Sequence, residues 1–185
     1  MTLADIERRV KVLEDIEEIK QLHIQYILFL NEQRFEDMIE CFAEDARIEG
    51  LKVEGVDRSS KPQIGKAEIA ELMRGMAARQ REIKYWKGGQ FLVHPIISVE
   101  GDKATGCWTW YRIGMPSKFT SELGREVMLE EPQEAKYDME YKRVDGKWKM
   151  SVMRFAHTWP QNPPPGEVHT ITWLNAGKPV PGPAK

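Results

Sequence analysis

Residues 134–159 read EAKYDMEYKRVDGKWKMSVMRFAHTW, and this stretch decides the fold. Tyr137, Met139 and Tyr141 alternate with Lys136, Asp138, Glu140 and Lys142, so one face is apolar and the other charged. That is the period-two pattern of a strand with one face buried. Val144-Asp145-Gly146-Lys147 follows, and Asp-Gly between two such runs signals a tight hairpin because both turn positions tolerate positive φ. Past the turn, Met153, Phe155 and His157 repeat the alternation. Working outward, Tyr85 to Val99 and Ala104 to Ile113 flank Gly101-Asp102 as a second hairpin, and Glu126 to Arg143 reads as a strand that Pro132 interrupts.

The upstream third has a different period. Leu3, Ile6, Val10, Leu13, Ile16, Ile19, Leu22, Tyr26, Ile27 and Leu30 recur at three- and four-residue steps, which predicts one long amphipathic helix with Thr2 as N-cap and Asp5 three residues on. A second helix is expected from Phe35 to Phe42, ending at a turn over Ala43-Glu44-Asp45, and a third from Lys66 to Arg79 after the breaker segment Pro62 to Gly65. Helices first and a meander afterwards is the layer pattern of an α+β domain, with three N-terminal helices packed on a curved antiparallel sheet. The expected organisation is one domain over residues 1–159 and a Pro/Gly-rich tail over 160–185, in which Ile171, Trp173 and Leu174 form an apolar patch suited to clamping a neighbouring subunit.

Composition removes several function classes. Lys and Arg number 27 against 29 Asp and Glu, and the two signs are interspersed, so the basic footprint of nucleic-acid binding is missing. Cys41 and Cys107 are too few for a disulfide framework and point to a reducing, cytoplasmic setting. Charges every few residues from Met1 to Asp15 leave no signal-peptide core, and no apolar run is long enough for a membrane-spanning helix. The four histidines and the acids show no metal-ligand spacing, so neither metal nor other cofactor is expected.

Several separated segments fall in a familiar order: Leu13-Glu14-Asp15-Ile16 through Tyr26, Arg34-Phe35-Glu36-Asp37, Phe42-Ala43-Glu44-Asp45-Ala46, Ile97 to Ala104, Arg125 to Met128, and Tyr141 to Lys149. Together they resemble the SnoaL-like, scytalone-dehydratase-like branch of the nuclear-transport-factor-2-like superfamily, over residues 5–159. The resemblance implies a cone-shaped α+β barrel and a homo-oligomer, a trimer above all. Enzymes of this branch, scytalone dehydratase and bile-acid dehydratase among them, pair a carboxylate at the end of the first helix with a histidine on the first long strand. Here those positions hold Asn31 and Gln90, neither of which takes a proton near neutral pH. Gly50 and Tyr137 stand where scytalone dehydratase carries a tyrosine and an asparagine, whereas Tyr26 matches a tyrosine of the bile-acid dehydratases.

Strand alternation names the other residues that share the face of Gln90: Trp108, Trp110 and Arg112, then Tyr137, Met139 and Tyr141, then Met153, Phe155 and His157. An aromatic lining with few polar groups suits a flat apolar guest. His157 is the first choice for general acid/base, its ordinary pKa of about 6.5 lying near working pH. Arg112 would hold an anionic oxygen with its fork of donors, and Tyr26 would donate to a substrate hydroxyl. Asn31, Gln90, Trp108, Trp110, Tyr137, Met153 and Phe155 are the expected substrate-binding set.

Each assignment has a plainer alternative. His157 is also what a backbone-bonded histidine near a strand end looks like, Arg112 a partner for a nearby acid, and Tyr26 a core residue. His23, on the apolar face beside Leu22 and Tyr26, is expected to be a satisfied core histidine; His94 before Pro95 is expected to be structural, and His169 lies in the tail. The function expected is a cofactor-independent lyase or dehydratase acting on a hydrophobic aromatic or polycyclic small molecule, such as a lignin-derived diarylpropane, with loss of formaldehyde or water. The rivals are a non-catalytic binding or assembly module and a ring-compound isomerase.

Overall fold

The computed structural model describes residues 1–51, 61–82, 89–113, 116–120, 126–130 and 133–157, of which 79–82, 116–120, 126–130 and 157 are described by backbone alone. The predicted tail over 160–185, with Ile171, Trp173 and Leu174, lies outside the described residues, as do Pro132, Tyr85 and Trp159.

Helix α1 spans Leu3–Asn31 and opens on the expected capping box, the Asp5 amide donating to Thr2 Oγ1 at 3.2 Å and the Thr2 amide to Asp5 Oδ2 at 3.0 Å. Two orphan amides of the first turn are thereby satisfied. From Asp15 onward the helix buries Asp15, Ile19, His23, Tyr26, Ile27 and Leu30. The preceding turns bury no residue fully, although the periodicity predicted one continuous core face.

After α2 (Phe35–Ile39) the chain enters β1 (Phe42–Glu49), where the sequence reading placed a helix end and a turn. The sequence does not display this strand, because its pairing register shifts between Phe42 and Arg47 and its burial does not alternate cleanly. Strand β2 (Gln63–Ile64) and helix α3 (Lys66–Glu82) follow, then β3 (Gly89–Glu100), β4 (Lys103–Ile113), β5 (Pro116–Thr120), β6 (Glu126–Glu130), β7 (Gln133–Val144) and β8 (Lys147–His157). The run from Glu126 to Arg143, expected to be interrupted at Pro132, is divided into β6 and β7. Among the described residues β6 pairs only with β5, and β7 belongs to the main sheet.

The main sheet has six strands in the order β2-β1-β8-β7-β4-β3. Strands β3, β4, β7 and β8 form the expected antiparallel meander, but β1 runs parallel to β8, so the sheet is mixed. It is curved and open rather than a closed barrel, with the helices completing the enclosure. The turn at Asp145 (φ 48°) and Gly146 (φ 76°) has both positive dihedrals that the Asp-Gly signal requires. Gly50 is needed for a different reason: with φ 76° at the end of β1, a methyl group there would stand 2.3 Å from the Phe155 carbonyl oxygen.

One end of the cone is tied by a buried ion pair. Asp15, 4% exposed, accepts from Lys11 Nζ at 2.9 Å, from Trp148 Nε1 at 3.2 Å and from Arg143, whose guanidinium also lies 4.6 Å over the Trp148 ring. Burial pushes the Asp15 carboxyl up, and hydrogen bonds from Lys11, Arg143 and Trp148 more than offset it, leaving it below the ordinary carboxylate range.

Candidate functional site

The concave face is built by cross-strand rows. Gln90 pairs with Arg112, and Arg112 with Gln133, at one end of the sheet. In the next row inward Leu92, Trp110, Ala135 and His157 stand side by side on four adjacent strands. His157 is the last residue of β8, and its side chain lies outside the described residues. With strands about 4.8 Å apart and about 3.3 Å of rise per residue, the Arg112 and His157 backbones stand roughly 12 Å apart at the same end. That spacing allows two side chains to approach one small guest from different strands.

Tyr26, Trp108, Trp110, Tyr137, Met153 and Phe155 are all buried, and the geometry brings them together. Trp110 meets Phe155 edge-on with centroids 5.3 Å apart, Tyr137 lies 4.8 Å from Phe155, and Tyr26 meets Phe42 edge-on at 5.7 Å. The Tyr26 hydroxyl reaches Met153 Sδ only at 4.0 Å. Burial pushes the Tyr26 and Tyr137 phenols well above their ordinary values, so at neutral pH each is a donor and not a base.

Asn31 and Gln90 sit together, as the resemblance placed them. The Asn31 side chain closes on the backbone of Gln90, its Nδ2 donating to the carbonyl at 2.8 Å while its Oδ1 accepts from the amide at 3.0 Å. This two-bond clip ties the end of α1 to β3 and occupies one donor and one acceptor position of the amide. Gln90 Oε1 accepts from Trp110 Nε1 at 3.0 Å. Arg112 is half-buried, and desolvation pushes its guanidinium down to about 10, still protonated at neutral pH.

His23 was read as ordinary core, and it is fully buried. Its place is nevertheless central: the ring stands 4.8 Å from Trp108, 5.2 Å from Tyr137 and 5.9 Å from Tyr26. Nδ1 lies 2.8 Å from the Tyr141 hydroxyl, while Nε2 has no partner among the described residues. Burial pushes the imidazole down to about 3, so it stays neutral and is no proton acceptor at pH 7. The available signal was its step from Tyr26, which places both on the inner face of α1. His94 is exposed and adopts φ 53° at the irregularity of β3 between Val93 and Ile96. Among the described residues no helix is long and apolar enough to cross a membrane, and no cluster of His, Cys, Asp and Glu could hold a metal ion.

Known structures share this fold. A nuclear-transport-factor-2-like protein with a cystatin-like fold from Novosphingobium aromaticivorans is 22% identical, with 85% of this chain and 90% of that one covered at a TM-score of 0.62. A protein provisionally named a scytalone dehydratase from the same organism is 16% identical, with 80% and 86% covered at a TM-score of 0.59. A nuclear-transport-factor-2-like protein of unknown function from Pseudomonas putida is 12% identical, with 81% and 91% covered, also at 0.59. At these identities the likeness shows the fold alone. A comparison with curated proteins returns no match. The SnoaL-like domain model matches residues 11–154, most of the chain and all but the ends of the structure just described, and the protein belongs to that family.

Proposed function

We propose that this protein is a cofactor-independent lyase or dehydratase for a hydrophobic aromatic or polycyclic small molecule. The observation that carries the reading is the aromatic floor of Trp108, Trp110, Tyr137 and Phe155 with a half-buried guanidinium, Arg112, at its end. Desolvation lowers the pKa of that guanidinium to about 10 and leaves it charged. A cation removed from water attracts an anionic oxygen more strongly than one at the surface. His23 and the buried phenols are unsuited to accept a proton at neutral pH, which supports His157 as the acid/base. In a dehydration, His157 takes a proton from the carbon beside a hydroxyl-bearing carbon, the carbon–hydrogen electrons form the double bond, and the hydroxyl leaves with a returned proton as water. Arg112 and Tyr26 hold a phenolic or enolic oxygen on which charge develops. In loss of formaldehyde from a diarylpropane, departure of water first leaves a quinone methide. His157 then takes the hydroxymethyl proton, the carbon–oxygen double bond of formaldehyde forms, and the electrons of the broken carbon–carbon bond make the new alkene and return charge to the phenolic oxygen held by Arg112.

The test is a thermal-shift screen of phenolic and polycyclic compounds, followed by incubation of each hit with the protein. We expect a hit that is converted, with turnover abolished by His157→Ala and affinity lowered at least about tenfold by Arg112→Met. Hits that bind and return unchanged would establish the rival, a binding module, for which the replacement of the family's carboxylate and histidine by Asn31 and Gln90 already argues.

A further inference from the structure

Helix α1 has two apolar stripes, and the described residues cover only one of them. Asp15, Ile19, His23, Tyr26 and Leu30 form the inner stripe and are buried. At about 100° per residue, Leu3, Ile6, Val10 and Leu13 lie roughly 150° round the axis from it. They are 71%, 41%, 47% and 65% exposed. Their spacing of three, four and three residues is the a/d seam of a heptad. Residues 3–14 bury nothing fully on their own chain, and such a helical segment, roughly 18 Å long, is marginal in water without packing.

We infer that residues 3–14 pack in parallel and in register against the same segment of a second copy of this chain. The flanking charges set the direction. With Leu3 and Val10 at a and Ile6 and Leu13 at d, Glu7 and Glu14 occupy e and Arg9 occupies g. Parallel pairing sets Arg9 of one copy against Glu14 of the other, an attractive contact on each side of the seam. Antiparallel pairing over the same residues sets Glu7 against Glu7 and Arg9 against Arg9. Arg9 and Glu14 are both exposed, and neither has an ion pair with a described residue of its own chain, so both are placed for that contact. The seam stops where the next two positions become Glu17 and Lys20, which pair with each other at 3.7 Å.

Cysteine cross-linking of the full-length protein tests the pairing. In a Cys107→Ser background, which removes the half-buried native thiol and leaves Cys41 buried, Val10→Cys and Leu3→Cys should each form an interchain disulfide on mild oxidation, and the background alone should form none. A disulfide only in a mixture of Leu3→Cys with Leu13→Cys would overturn the parallel orientation, and no disulfide in any of them would overturn the pairing. By light scattering, Ile6→Glu with Val10→Glu should raise the dissociation midpoint at least about tenfold. Arg9→Glu and Glu14→Arg should each weaken association and their combination restore it. If the stripe is instead covered by the chain's own residues 160–185, the Glu variants will leave the mass unchanged and lower Tm independently of concentration, which also overturns the proposal.

Discussion

The Tyr141 hydroxyl lies 2.8 Å from His23 Nδ1 and 2.9 Å from Trp108 Nε1, and this pair of contacts fixes the state of the imidazole. Indole nitrogen can only donate, so Tyr141 accepts from Trp108. Donating its one proton to His23 leaves only Nε2–H unpaired among the described residues, whereas accepting from Nδ1–H would leave both the phenol proton and Nε2 unpaired. The expected tautomer therefore has Nδ1 as acceptor and the ring proton on Nε2.

Replacing Tyr141 by Phe strands the Trp108 donor and the His23 acceptor together. The expected loss is about 2–6 kcal/mol, since each of the two buried polar groups left unsatisfied costs about 1–3 kcal/mol. Urea unfolding measures it. Nitrogen chemical shifts of His23 should report the Nε2-protonated tautomer in the wild type.

His23 also makes stability depend on pH. Its folded pKa of about 3 lies below the unfolded value of 6.5, so between these values the unfolded chain binds a proton that the folded one refuses. Stability from this group is complete above pH 6.5 and falls on acidification, by up to about 1.4 kcal/mol per pH unit. His23→Gln keeps an acceptor for Tyr141 and should flatten the profile between pH 6.5 and about pH 5.5, above the ordinary range of carboxylate titration. An unchanged slope would contradict the burial of a neutral imidazole.

Asn31→Asp restores the residue type of the family's carboxylate position and should cost stability. An amide donates to the Gln90 carbonyl and accepts from its amide at once. A carboxylate can only accept, and it would face that carbonyl with no proton between them. We expect a loss of about 1–3 kcal/mol at pH 7 that shrinks at pH 4.5, where a carboxyl whose pKa is raised by this contact regains a proton. Paired thermal melts at the two pH values decide it.

Gly50→Ala should cost at least about 2 kcal/mol, because positive φ and contact with backbone act together. The added methyl would meet the Phe155 carbonyl oxygen at 2.3 Å, and that backbone belongs to the β1–β8 pairing. Chemical denaturation of the variant gives the value directly.

Much of this was legible along the chain. The period-two runs on either side of Gly101-Asp102 and Asp145-Gly146 located β3, β4, β7 and β8 to within a few residues, and the capping residues Thr2 and Asp5 located the start of α1. These signals are local, set by turn dihedrals and by the need to bury one face of each strand. Strand β1 was not legible, because a register shift broke its alternation and its partner, β8, lies about a hundred residues away. The site divides in the same way. Alternation alone grouped Trp108, Trp110, Tyr137, Met153 and Phe155 on one face, whereas the clip from Asn31 to the Gln90 backbone needed the end of a helix brought against a strand edge.

The sequence by itself determined the elements of the meander, the aromatic face and the identity of the residues that replace the family's acid/base pair, since each follows from chemistry within a few neighbouring positions. Only the tertiary structure decided that His23 is held neutral by burial, beside a hydroxyl 118 residues away, that β1 closes on β8 in parallel, and that no described residue covers the first stripe of α1. Hydrophobic periodicity tells which side chains seek burial. It does not tell which surface, on this chain or another, receives them.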